Sequence, residues 1–103
     1  MKLALSLICL CLLGLAALMP QASAADGREL YIKCAGCHGA DGSKPAMGSG
    51  PVIKGMSAEK AAQDLNGYKA KTYGGKNKAV MENLIKDLTP ADIKALAEHI
   101  AKF

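Results

Sequence analysis

Five consecutive residues, Cys34-Ala35-Gly36-Cys37-His38, constrain this chain more than any others. Cysteines at i and i+3 are neighbours on one helical turn, so both thiols can face one edge of a flat ligand. The small Ala35 and Gly36 between them let the backbone come close to it. Each thiol can add across a porphyrin vinyl group to give a thioether, and His38 follows at once to offer its imidazole to the iron. The motif therefore predicts one covalently attached haem c, held by Cys34 and Cys37 and ligated by His38. Two other uses of such a pair fit less well. A redox dithiol belongs at a strand–helix junction, and no stretch here alternates as a strand. A four-ligand zinc site needs more partners than Cys34, Cys37, His38 and a distant His99 readily supply.

The start of the chain agrees with assembly outside the cytoplasm. Lys2 gives a short positive start, Leu3 to Met19 is apolar except for Ser6, and Ala22-Ser23-Ala24 has the small-x-small pattern of a cleavage site. Residues 1–24 are read as a removable signal peptide and 25–103 as a single domain exported to the periplasm. The apolar stretch is short for a bilayer span and has no stop-transfer flank. Cys9 and Cys11 follow the bulky Ile8 and Leu10, which disfavours a lipoprotein cleavage. Cys34 and Cys37 then remain as two cysteines of an exported protein, a pairing that haem attachment explains.

A domain this small buries little core, and the sequence has no tryptophan and one phenylalanine. That leaves room for a large apolar cofactor. The whole chain carries a formal charge of +4; without Lys2 it is about +3, and two haem propionates lower it to about +1, too mild for a nucleic-acid binder.

Helical periodicity accounts for the rest. Asp26 and Glu29 have capping-box spacing, and a first helix is expected from Gly27 to about Gly36. Gly39 to Gly55 is crowded with glycine and proline and is expected to be a long loop wrapping the ligand. Ser57 can cap a second helix with Ala58, Ala61, Ala62, Leu65 and Tyr68 along one face. After Gly74-Gly75 a third helix is expected to present Val80, Met81, Leu84, Ile85 and Leu88. Thr89-Pro90 starts a fourth with the stripe Ile93, Leu96, Ala97 and Ile100. The fold is all-α, with about four short helices.

The sixth iron ligand is sought among Met47, Met56, Met81 and His99. Thioether sulfur is a soft donor that suits low-spin iron and raises its potential. Met47 and Met56 sit on the loop that must first wrap the ring, whereas Met81 follows a full helix and has chain enough to reach the opposite face. Met81 is the expected ligand. Any one methionine taken alone is better read as core filler, and His99, beside Leu96 and Ile100, reads as a packing or rim residue.

Cys34-Ala-Gly-Cys-His38-Gly-Ala-Asp-Gly-Ser-Lys44, the run Ala46-Met47-Gly-Ser49, Tyr73-Gly-Gly75 and Lys78-Ala-Val-Met81 together resemble the small class I cytochromes c of the c-553 group of sulfate-reducing bacteria. The resemblance spans Ala25 to Phe103. It implies a compact cytochrome c fold, ligands His38 and Met81 on opposite faces of the haem, and terminal helices that cross near a haem edge. It further implies that Tyr68 and Tyr73 lie close to the propionates, and that a backbone carbonyl near Pro51 accepts from the second ring nitrogen of His38. His99 departs from the pattern, standing where such proteins often carry an aromatic residue.

A haem with both axial positions filled by protein exchanges one electron but leaves no open site for substrate. The expected function is therefore a monomeric one-electron carrier, not an enzyme, with the haem iron cycling between Fe(II) and Fe(III). Lys33, Lys44, Lys54, Lys69, Lys71, Lys76 and Lys78 can steer weak encounters with an acidic partner if they cluster round the haem edge. The resemblance implies partners such as a periplasmic formate dehydrogenase, a hydrogenase or a terminal oxidase. Two other readings stay open: a haem enzyme or gas sensor with a free sixth position, and a haem domain fixed in a larger oxidoreductase.

Overall fold

The computed structural model describes residues 25–103; the expected signal peptide, 1–24, lies outside the described residues. Four helices follow one another: α1 (Gly27–His38), α2 (Ala58–Lys69), α3 (Lys78–Ile85) and α4 (Pro90–Ile100), with a 3₁₀ turn at Ala46–Gly48 between α1 and α2. No strand occurs among the described residues, and no helix among them is long and apolar enough to cross a membrane. The all-α expectation holds.

Local chemistry sets most helix ends. The Asp26 carboxylate accepts from the Arg28 N–H at 3.0 Å and caps α1, although Glu29 does not return a bond to complete the expected capping box. α1 runs two residues beyond its expected end at Gly36. It stops where Gly39 takes φ 84°, open to glycine without a Cβ penalty, and the Gly39 N–H closes onto Ala35 O at 2.8 Å. The Ser57 hydroxyl accepts from Lys60 N–H at 3.1 Å and caps α2. At α4, Thr89 and Asp92 cap each other's backbone N–H, both at 3.1 Å, with Pro90 at the first helical position.

α3 has no side-chain cap from Asn77 and is held by packing on α2. It ends at Ile85, before Leu88, yet Leu88 is still buried. α4 packs on both α1 and α2, burying its whole expected stripe of Ile93, Leu96, Ala97 and Ile100. Each of the larger of these side chains contributes about 1.5–3 kcal/mol by leaving water.

The first and last helices meet very closely at Gly27. A Cβ there would stand 2.2 Å from Ala95 O and 2.9 Å from His99 Cβ. One turn along, Tyr31, His99 and Phe103 form a ring cluster with centroid separations of 5.5, 4.8 and 5.2 Å. The crossing of terminal helices implied by the resemblance is thus present, with His99 filling the aromatic place by packing its own ring. The loop after α1 is drawn back on itself through Gly42 O, which accepts from Ile53 N–H at 3.1 Å and Lys54 N–H at 3.0 Å.

Candidate functional site

The last turns of α1 bring Cys34, Cys37 and His38 to one cavity of about 340 Å³. α2 contributes Ala61, Leu65 and Tyr68 to its wall, α3 contributes Met81 and Ile85, and Leu96 and Ile100 of α4 close it. α1 and α3 do not pack on each other; they flank the cavity while α4 holds the first and α2 the second. The Lys33 ammonium bridges them, donating to Leu84 O at 3.0 Å.

Cys34 and Cys37 are free thiols, the first half-buried and the second exposed. Burial raises the Cys34 pKa above the ordinary thiol value. His38 is buried, and that burial pushes its imidazole pKa below the ordinary value, favouring the neutral form that can donate a lone pair to a metal. Its Nδ1 has no hydrogen-bond partner. The expected bond to a carbonyl near Pro51 is therefore not made. Pro51 lines the cavity but is exposed.

Met47, Met56 and Met81 all line the cavity, so reaching it does not distinguish them. Their settings do. Met47 is 62% exposed and sits at φ 54° on the 3₁₀ turn, which packs on α1, the helix of His38. Met56 stands just before α2, and Met81 is half-buried on α3 across the cavity from α1. His99 does not line the cavity. Tyr68 and Tyr73 both do, paired edge to face at 5.0 Å.

The lysines divide. Lys33, Lys76 and Lys78 line the cavity. Lys44 reaches Gly36 O at 3.3 Å, Lys54 pairs with Asp41 at 3.1 Å and Lys69 bonds Leu88 O. One residue at the site is absent from the sequence reading altogether. Asp64 is buried, lines the cavity, and is paired through Oδ1 to Lys60 Nζ at 2.5 Å. Its signal was the i,i+4 Lys60–Asp64 spacing, coupled to the inward face shared by Ala61, Leu65 and Tyr68.

These residues fit a covalently held haem. Two free thiols one helical turn apart, a buried imidazole beside them and thioethers on several elements surround a mainly apolar cavity. The model of the family described as cytochrome c matches residues 24–103. A cytochrome c-553 of Nitratidesulfovibrio vulgaris is 51% identical over 81 residues, covering 79% of each chain. One of Desulfomicrobium norvegicum is 51% identical over 78 residues, 75% of this chain and 95% of the relative. One of Helicobacter pylori is 35% identical over 88 residues, 85% of this chain and 88% of the relative. The chain belongs to the cytochrome c family, as an electron carrier with a single covalently bound haem c and not an enzyme.

Proposed function

We propose that this protein carries single electrons between redox partners in the periplasm, through a haem attached at Cys34 and Cys37 and ligated by His38 and Met81. The observation that carries the reading is the shared cavity: its α1 wall holds both thiols and the imidazole, and its α3 wall holds Met81, with no packing of one helix on the other. Met47 is the weaker sulfur donor for the far side, because its turn packs on the helix of His38. When bound, the haem supplies a reversible one-electron change between Fe(II) and Fe(III).

The chain's own residues hold, shield and present that centre. Thioethers at Cys34 and Cys37 would hold the ring against α1, and neutral His38 and the Met81 thioether would ligate its iron, leaving small molecules no open position there. Leu65, Ile85, Leu96 and Ile100 exclude water, so little solvent must reorganise when the charge changes. Residues 25–103 make up the working domain after removal of 1–24. It acts as a monomer that neither spans a membrane nor binds nucleic acid. Lys33, Lys76 and Lys78 at the cavity favour brief contact with an acidic surface, such as that of a formate dehydrogenase, a hydrogenase or a terminal oxidase.

The test is the optical spectrum of the oxidised holoprotein and of Met81→Ala. A weak long-wavelength charge-transfer band from sulfur to iron is expected in the wild type and absent in the variant. A wild type that lacks the band and binds carbon monoxide or cyanide readily has an open sixth position, and the carrier reading gives way to an enzyme or sensor.

A further inference from the structure

Among the cavity-lining residues, all of them described, Asp64 is the one acidic side chain. It sits on the inward face of α2 between Ala61, Leu65 and Tyr68, where every other position is apolar or aromatic. The residue is 8% exposed. A carboxylate is expensive to bury without a partner, and Asp64 has one: Lys60 Nζ, 2.5 Å from Oδ1. The two are arranged by the helix repeat, four residues apart.

Their placement is asymmetric. Lys60 is half exposed, does not line the cavity, and holds its ammonium 5.2 Å from the centre of the Tyr73 ring. The aromatic face and the carboxylate thus fix the ammonium on the outer side of the pair. The negative end points to the cavity and the positive end to solvent. In a water-poor interior such a fixed charge acts over a longer range than at the surface.

We propose that Asp64, with Lys60 behind it, lowers the reduction potential of the bound cofactor by presenting the negative end of this ion pair to the cavity. The inference rests on the reading of the cavity as the haem site. The oxidised centre carries one more positive charge than the reduced one, so a nearby carboxylate stabilises the oxidised state preferentially. The outer ammonium opposes that effect from farther away. Removing either partner must then shift the potential, and in opposite directions.

The experiment is a redox titration of the holoprotein and of Asp64→Asn, Asp64→Glu and Lys60→Gln. Asp64→Asn is expected to favour reduction by roughly threefold to tenfold in the electron-exchange equilibrium constant, tenfold being 59 mV for one electron. Asp64→Glu retains the charge and stays within about twofold of the wild type, while Lys60→Gln shifts the equilibrium towards oxidation. A loosened pocket that admits water would move both neutralising variants the same way, so a common direction overturns the proposal. So does an unchanged or lowered potential in Asp64→Asn. If that variant does not fold, Lys60→Gln decides alone, and no shift or a raised potential overturns the proposal. Failure of the haem reading itself is visible separately, as wild-type protein that loses its haem on denaturation under acid.

Discussion

The contact between the first and last helices makes a quantitative test of the packing. Gly27→Ala adds one methyl group where the nearest atom is Ala95 O at 2.2 Å, with Ala95 C at 2.8 Å and His99 Cβ at 2.9 Å. Two of the three atoms are backbone, so no rotamer change relieves the clash and α1 must move off α4. Overpacking of this kind costs about 1–3 kcal/mol. Replacing glycine in a helix returns at most about 1 kcal/mol. A backbone clash at 2.2 Å puts the cost at the upper end, about 2–3 kcal/mol, so the net loss is about 1–2 kcal/mol; at about 4–8 °C per kcal/mol for a domain of this size, the melting temperature falls by roughly 4–16 °C. Far-UV circular dichroism of the holoprotein during heating measures it. Adding His99→Ala leaves both the Cβ at position 99 and the Ala95 carbonyl in place, so the double variant does not regain wild-type stability. A Gly27→Ala protein that melts at or above the wild type would refute the close crossing.

Tyr31 donates from its hydroxyl to Gly39 O at 2.6 Å, tying the cluster at the helix crossing to the residue after His38. Tyr31→Phe is expected to lose about 1 kcal/mol in a denaturant titration, with its ring packing kept. Thr89→Ala removes half of the α4 capping box and is expected to lose about 1 kcal/mol, read in the same assay. Two carboxylates link folding to pH. Asp41 is lowered to about 2 by its bonds to Ser43 and Lys54, and Asp92 is lowered by backbone N–H donors at Thr89 and Ala25. Their stabilisation is fully present above the ordinary aspartate value of about 3.9 and is lost as pH falls through the folded values. Chemical unfolding from pH 5 to pH 2 therefore shows a falling midpoint, and Asp41→Asn flattens part of that fall.

Much of the architecture was legible because its causes are local. Asp26, Ser57 and Thr89 cap N–H groups two or three residues away, and Ile93, Leu96, Ala97 and Ile100 share a face through the helix repeat alone. Cys34, Cys37 and His38 are also local: one turn of helix carries them to the cavity together, whatever the rest of the chain does. Local reading failed where a neighbour from elsewhere decides. The end of the first helix is a local exception, since Gly36 stays helical and Gly39, at φ 84°, ends it one residue past His38. No carbonyl near Pro51 meets His38 Nδ1, an outcome set by how the loop after α1 folds back and not by spacing along the chain. Spacing along the chain predicted that Met81 could reach the cavity and that Met47 and Met56 lie on the loop wrapping it, and all three line it.

The amino-acid sequence by itself determined the attachment motif, the helices and their apolar faces, since each depends on residues within about four positions of one another. Only the tertiary structure decided that Gly27 meets the Ala95 carbonyl, that α1 and α3 stand apart across a cavity, and that Asp64 is turned into it with Lys60 outside. Those outcomes depend on how faces from distant segments close on one another, where close packing admits a residue or excludes it by a fraction of an ångström.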